Sequence, residues 1–123
     1  MDTIRDLTKA EEEIMQILWD IEQGVVWDVI ERLPEPKPAY NTVSTFIRIL
    51  EQKGFIDHRA LSGKTYEYFP LISREDYRAY EANKLVNNYF DGSLKELVSF
   101  FVQDKNLSMR DADEIIKMLQ NAQ

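Results

Sequence analysis

Apolar residues recur every three or four positions along the first half of the chain, which is the spacing that puts side chains on one face of an α-helix. This pattern predicts three short helices before residue 54. Their apolar positions are Ile14, Ile17, Leu18 and Ile21, then Val26, Val29, Ile30 and Leu33, then Val43, Phe46, Ile47 and Leu50. Three such faces are enough to enclose a small hydrophobic core.

The ends of these helices carry recognisable signals. Thr8 and Glu11 have the spacing of a capping box, so the first helix begins after Thr8, and we expect Gly24 to end it. Three prolines exclude helix just before the third apolar stripe, and Gly54 predicts where that helix stops. The third helix is therefore about three turns long, a size that a major groove accepts.

The third helix has an unusual polar face. Its outward positions are Asn41, Thr42, Ser44, Thr45 and Arg48. These short side chains could enter a major groove and offer hydrogen-bond donors and acceptors to base edges. An ordinary solvated face, which is the alternative, would carry more Glu and Lys. We therefore predict a DNA-recognition helix.

A β-hairpin is predicted directly after this helix, in the position of a wing. The β-prone runs 55–59 and 65–71 flank a turn with Gly63 where positive φ is needed. Lys64 at the tip and Arg59 on the stem are placed to reach phosphates. Most large aromatic residues of this half are expected to pack inside, namely Trp19, Trp27, Phe55, Tyr66, Tyr68 and Phe69.

The second half of the chain predicts three more helices and a dimer. Ser73, Ser93 and Ser108 each stand three residues before an acid, which is typical of helix N-caps. Fewer than about 60 residues bury too little surface for comfortable stability, so the many apolar side chains here predict a second copy as partner. The expected dimerisation residues are Tyr77, Tyr80, Tyr89, Leu97, Phe100, Phe101, Ile115, Ile116 and Leu119.

The whole pattern predicts a mainly α protein with a small β-hairpin wing. We expect a winged helix-turn-helix domain over residues 1–72, followed by a helical dimerisation domain over residues 73–123. A homodimer would hold two recognition helices about 34 Å apart, and so predicts a pseudo-palindromic site in double-stranded DNA.

The net charge of −7 opposes binding to DNA, because affinity for a duplex comes largely from neutralised phosphates. The predicted contact region, residues 37–66, is nevertheless basic. Its bases are Lys37, Arg48, Lys53, Arg59 and Lys64, and its acids are Glu51 and Asp57. Acidic surroundings would suppress non-specific binding while this basic region contacts the duplex.

Other chemistry finds little support in the sequence. The chain has no cysteine, which excludes thiolate metal sites and fits a reducing cytoplasm. His58 is the only histidine, and neighbouring strand residues face opposite ways, so we expect neither metal binding nor catalysis by His58 and Asp57. No enzyme motif, cofactor loop or membrane-spanning apolar run occurs, so we expect a cytoplasmic protein that is not an enzyme and needs no cofactor.

These segments together resemble the penicillinase-repressor family of bacterial transcriptional repressors, from about residue 5 to the C-terminus. The matching segments are 8–13 with Trp19, Asn41-Thr42-Val43-Ser44-Thr45, 50–58, and Gly63 with Tyr66-Glu67-Tyr68-Phe69-Pro70. The resemblance implies a winged helix that reads operator DNA, a helical dimerisation domain, and release of the operator when a membrane sensor protease triggers cleavage. It implies base contacts from the polar face of the third helix, a phosphate contact from Lys64, and a candidate role in antibiotic resistance.

The chain departs from the family pattern at two places. Ser44 stands where the family pattern has an Arg. The recognition helix of the family commonly starts with Ser or Thr followed by Pro or a basic residue, whereas this chain has Ala39-Tyr40-Asn41. The resemblance therefore does not predict the operator sequence. Induction in the family is associated with cleavage of an Asn-Phe bond, and the alignment puts Phe100 and Phe101 at that bond. Either a cognate protease accepts Phe-Phe, or another bond or signal is used.

Two other functions fit the same sequence. A winged helix used for protein contact would present Tyr40, Phe69 and the acidic surface to a partner. A ligand-responsive regulator would instead hold a small molecule between the dimer helices, in a pocket lined by Tyr77, Tyr80, Phe100 and Phe101.

Overall fold

Residues 4–104 and 108–121 are described by the computed structural model, with side chains described up to residue 118. Their elements are α1 (Lys9–Ile21), α2 (Val26–Arg32), α3 (Tyr40–Gln52), β1 (Ile56–Ser62), β2 (Thr65–Pro70), α4 (Arg74–Tyr89), α5 (Leu94–Asp104) and α6 (Met109–Asn121). This order confirms the prediction of a mainly helical chain with one β-hairpin after the third helix.

The core of the first three helices is built from the predicted apolar stripes. Its buried side chains include Ile14, Met15, Leu18, Val29, Ile30, Val43, Ile47, Leu50 and Phe55. Ile17, Ile21 and Phe46, at the margins of the stripes, are only half-buried. Each fully buried aliphatic side chain contributes roughly 1.5–3 kcal/mol by leaving water, so this core stabilises the arrangement of α1, α2 and α3.

The start of α1 is the predicted capping box, whereas its end differs from the prediction. The Thr8 N–H donates to Glu11 Oε1 at 3.0 Å, and the Glu11 N–H donates to Thr8 Oγ1 at 3.2 Å. The helix ends at Ile21, where Glu22 takes a positive φ of 72°. Gly24 therefore does not stop α1; it forms an antiparallel bridge with Tyr68, which joins the α1–α2 loop to the wing.

The hairpin follows α3 through Gly54, whose φ of 83° is the left-handed conformation expected of a helix stop. Strands β1 and β2 are antiparallel, and Gly63 makes the turn with a φ of 55°. Tyr68 and Phe55 are buried as predicted. Tyr66 is not, because it lies close to the turn, beyond the end of the core, and is 45% exposed.

Contacts divide the chain into two compact units, Met1–Arg78 and Ala79–Gln123, and helix α4 runs through the boundary. The first unit thus includes the beginning of α4, which we had assigned to the second domain. Tyr77 is the physical reason. Its ring contacts Trp19 and Phe55, its hydroxyl accepts the Leu7 N–H at 3.2 Å, and only 5% of the residue is exposed. Tyr77 therefore belongs to the core of the first unit and is not available to a partner chain.

The second unit contains two capped helix starts and a thin core. Ser93 and Ser108 accept the N–H groups of Glu96 and Asp111, and in the first unit Ser73 accepts the Asp76 N–H at the start of α4. All three caps agree with the sequence prediction. Among the described side chains of this unit, the buried apolar residues are Val86, Val98 and Ala112. Larger apolar side chains remain exposed, namely Leu85, Tyr89, Leu94, Phe100, Phe101, Met109, Ile115 and Met118. No helix within the described ranges has the length and apolar character needed to cross a bilayer.

Candidate nucleic-acid interface

Helix α3 separates its residues into a buried face and a polar face. Val43, Ile47 and Leu50 are at most 1% exposed and fix the helix on the core. On the other side, Asn41, Thr42, Thr45 and Arg48 are exposed, and Ser44 is half-buried. The structure therefore places the five predicted recognition residues on one helix and leaves four of them exposed to solvent.

Two of these side chains differ in their freedom to contact bases. The Thr45 hydroxyl donates to the Asn41 carbonyl at 2.8 Å, so it presents its methyl group and its oxygen lone pairs outward. Arg48 forms no ion pair with any described residue. Its five N–H donors are available for guanine or phosphate oxygens, which a guanidinium binds in a bidentate manner.

Two lysines hold this helix-turn-helix in shape. Lys37 Nζ donates to the carbonyls of Ile30, Glu31 and Leu33 at 2.8–3.1 Å, and so satisfies the C-terminal end of α2. Lys53, just after α3, lies 2.6 Å from the Glu11 carboxylate in the first turn of α1. Both lysines are therefore engaged in supporting the fold.

The wing offers one free base instead of the two predicted. Arg59 pairs with Glu67 at 2.9 Å, donates to Gln23 and lies over the Phe69 ring. Its Nε and Nη2 groups donate within the protein and Glu67 neutralises its charge, so Arg59 is less suited to a phosphate contact than the sequence predicted. Lys64 is exposed at the tip, and it makes no hydrogen bond or ion pair with the rest of the described chain.

The segment 37–66 is less basic in the fold than its sequence suggests. Lys53 and Arg59 are neutralised by Glu11 and Glu67, which lie outside residues 37–66. Arg48 and Lys64 are the bases of that segment left without an acidic or carbonyl partner among the described residues. The described residues therefore do not form a broad positive patch, and what α3 offers to a duplex is mainly its shape and its hydrogen-bonding groups.

An aromatic pair beside the recognition helix was missed in the sequence. Trp27 on α2 and Tyr40, the first residue of α3, have ring centroids 5.1 Å apart and are 62% and 42% exposed. Trp27 is thus not a core residue, because position 27 lies on the outer face of the short helix α2. Its indole N–H and the Tyr40 hydroxyl are donors next to the N-terminal end of α3.

Three ionisable residues meet where α3 joins the wing. His58 Nδ1 contacts the Glu51 carboxylate, and it lies 3.9 Å from Asp57 Oδ1. The expectation that His58 and Asp57 would diverge was wrong, because the Asp57 carboxylate turns back to accept the His58 N–H at 2.8 Å. The His58 ring also lies 4.6 Å from the Tyr66 ring and 5.9 Å from the Tyr68 ring.

Tyr68 shows how closely this junction is packed. Burial raises the pKa of its phenol, and the negative charge of Glu51 raises that pKa further, whereas Arg48 opposes the shift. Charged residues of α3 therefore act on the ionisation of Tyr68 in the wing.

The predicted dimerisation residues of the second unit lie on α4, α5 and α6. Tyr89, Phe100, Phe101 and Ile115 are exposed, and Tyr80, Leu97 and Ile116 are half-buried. The side chain of Leu119 lies outside the described residues. A groove of about 600 Å³ runs between α5 and α6, but its lining includes Val98, Val102 and Ile116 rather than the aromatic residues expected for a ligand pocket.

Curated proteins with similar sequences are named as a methicillin resistance regulatory protein and as penicillinase repressors. The chain is 29% identical over 115 residues to the methicillin resistance regulatory protein MecI of Staphylococcus aureus, with 93% of each chain covered. It is 26% identical over 121 residues to the penicillinase repressor of Bacillus licheniformis, with coverage of 98% and 94%.

A solved structure and a family model extend this likeness. The first part of the fold matches the Bacillus licheniformis BlaI monomer in complex with the blaP half-operator, with 28% identity, a TM-score of 0.50, and coverage of 63% of this chain and 94% of that one. The model of the penicillinase repressor family matches residues 7–121. The winged helix and the resemblance proposed from the sequence are thereby confirmed, and membership in a repressor family agrees with a protein that is not an enzyme. The chain belongs to the penicillinase repressor family.

Proposed function

We propose that this protein is a homodimeric transcriptional repressor that binds a pseudo-palindromic operator through two winged helices. The observation that carries the proposal is the polar face of α3, where Asn41, Thr42, Thr45 and Arg48 are exposed on a helix fixed by a buried apolar face. A rigid helix with free donors is what direct readout in a major groove requires. The similar BlaI domain is described in complex with a half-operator, which supports the same use of the fold here.

Each part of the winged helix receives a role in this proposal. Asn41, Thr42, Ser44 and Thr45 contact base edges, and Arg48 contacts a guanine edge or a neighbouring phosphate. Lys64 contacts a phosphate from the tip of the wing. Trp27 and Tyr40 each present an uncharged hydrogen-bond donor beside the start of α3, and these donors contact the sugar-phosphate backbone.

Dimerisation is supported by the exposed apolar side chains of the second unit. Tyr89 is 77% exposed, and Phe100 and Phe101 are 38% and 40% exposed. Burying an apolar surface of this kind against a second copy gives roughly 25 cal/mol for each Å² removed from water. The interface proposed here contains Tyr80, Tyr89, Leu97, Phe100, Phe101, Ile115 and Ile116, and it omits Tyr77 because the first unit buries that residue.

Induction is proposed to act on the same surface. The bond between Phe100 and Phe101 lies inside helix α5, so a protease can bind it in an extended form only after local opening of that helix. Cleavage there, signalled by a membrane sensor protease, would remove dimer contacts and with them the joint binding of two half-sites.

Nuclease footprinting on the promoter of the protein's own gene tests this function. The full-length protein should protect two half-sites whose centres lie about one helical turn, or roughly 34 Å, apart. The sequences of the two halves should be related by a two-fold axis. Protection that is absent, or that is confined to a single site at all protein concentrations, would count against the dimeric repressor.

A further inference from the structure

The junction between the recognition helix and the wing contains three metal-binding side chains at short range. Glu51 comes from the last turn of α3, and Asp57 and His58 come from the start of β1. One ligand atom from each residue lies within 4.8 Å of the other two. The sequence could not show this cluster, because Glu51 meets His58 only after the turn at Gly54 reverses the chain direction.

The three donor groups suit a divalent cation that is intermediate between hard and soft metal ions. One imidazole nitrogen and two carboxylate oxygens are ligands that Zn²⁺ accepts, and three protein ligands leave further positions for water. Zinc bonds of about 2.0–2.2 Å need ligand atoms roughly 3.3–3.5 Å apart. The 3.9 Å between His58 Nδ1 and Asp57 Oδ1 is close to that spacing. The side chains are 29% to 55% exposed, so they can adjust and a cation can enter from solvent.

The charges of the cluster also favour a cation. Within the described chain, neither Glu51 nor Asp57 is paired with a lysine or an arginine, and their only ionic contacts are with His58. Other carboxylates of the winged helix, such as Glu11 and Glu67, do have basic partners. The two acids therefore leave uncompensated negative charge one helical turn from Arg48, which we propose to contact a guanine edge or a phosphate.

We propose that Glu51, Asp57 and His58 bind a divalent transition-metal ion such as Zn²⁺. The bound ion joins the last turn of α3 to β1, and so fixes the wing relative to the recognition helix. It also neutralises the two carboxylate charges at the edge of the interface, which strengthens DNA binding. This last consequence rests on the proposed function, whereas binding of the ion does not.

Binding is tested without DNA on the tag-free, full-length chain, by calorimetric titration with ZnCl₂ and by NMR of the single imidazole. We expect one ion per protomer and a shift of the His58 Nδ1 resonance, because Nδ1 faces the two carboxylates. Glu51→Gln and His58→Ala should each weaken binding at least tenfold. Glu67→Gln, which removes a wing carboxylate already paired with Arg59, is the matched control and should leave the affinity unchanged.

Equal affinities of the wild type, Glu51→Gln and His58→Ala would overturn the site, as would a titration with no binding or with no change at Nδ1. Circular dichroism of each variant checks that the substitutions leave the fold intact. Because the titration contains no DNA, its outcome is independent of whether the protein is a repressor.

Discussion

Lys53 Nζ lies 2.6 Å from Oε1 of Glu11 and thereby ties the end of the recognition helix to the first turn of α1. The same ammonium group donates to the Asp6 carbonyl at 2.9 Å. Glu11 is buried, and its carboxylate also accepts the Thr8 N–H. One carboxylate thus completes the cap of α1 and positions α3, so the orientation of the candidate DNA-reading helix depends on an acid of another helix.

Replacing Glu11 by Gln should lower the free energy of unfolding at pH 7 by about 1–3 kcal/mol, because a charge-assisted hydrogen bond to Lys53 is lost. Burial opposes ionisation of Glu11, but the hydrogen bonds from Lys53 and Thr8 outweigh it and lower the pKa below its ordinary value. A carboxyl with a lowered folded-state pKa stabilises the fold above its unfolded pKa and loses this effect as the pH falls through the folded value.

Urea unfolding of the wild type and of Glu11→Gln at a series of pH values measures this contribution. The difference between the two proteins should be full at neutral pH and should shrink as the pH falls below the ordinary pKa of Glu. The exposed neighbour Glu12, changed to Gln, is the control and should cost no more than about 0.5 kcal/mol. A difference that is the same at every pH would show that Glu11 acts through packing and not through its charge.

Replacing Lys64 by Ala should weaken binding to operator and random DNA by a similar factor. Lys64 is at the tip of the wing, where a phosphate contact positions the protein without reading sequence. The slope of log affinity against log salt should fall by about one. Fluorescence anisotropy at several salt concentrations measures both quantities, and a loss restricted to the operator would assign Lys64 to base reading instead.

Replacing Phe101 by Glu should shift the dimer towards monomer, because a charge would be buried in the proposed interface. The cost to association should be about 2 kcal/mol or more. Asn83→Glu, which adds the same charge at an exposed polar position of α4, is the control and should stay dimeric. Sedimentation equilibrium gives the association constants, and an unchanged Phe101→Glu dimer would place the interface elsewhere.

Cells that carry the protein and its proposed sensor protease should accumulate a fragment that ends at Phe100 when the inducing signal is present. The expectation follows from the position of the Phe100–Phe101 bond within α5 and from the loss of dimer contacts that its cleavage would cause. Intact-mass spectrometry of the recovered protein identifies the cut. Induction with an uncut chain, or with a cut at another bond, would show that a different signal releases the operator.

The sequence predicted the parts of this fold that local chemistry determines. The spacing of Val43, Ile47 and Leu50 gave the inner face of α3, and the pair Thr8 and Glu11 gave the start of α1. These features involve residues at most a few positions apart, where helix geometry alone sets the contact.

Features that join distant segments were not predictable in the same way. Lys53 pairs with Glu11, which lies 42 positions away in the sequence, so the charge of Lys53 was wrongly assigned to the DNA surface. Tyr77 packs on Trp19 and Phe55 in the first unit, although its position in the sequence suggested a dimer contact. A pattern tells which residues are apolar or charged, but only the tertiary fold decides which partner each of them meets.

The affinity of the wild type and of Arg48→Ala for promoter and random DNA, measured over a range of salt concentrations, decides whether α3 reads an operator. Arg78→Ala removes the same charge from an exposed position of α4 and serves as the control. The wild type and the control should prefer the promoter fragment, and Arg48→Ala should lose about 1–3 kcal/mol of that preference. If wild type and Arg48→Ala instead bind both DNAs equally weakly, α3 does not recognise DNA, and the partner of this winged helix must be a protein.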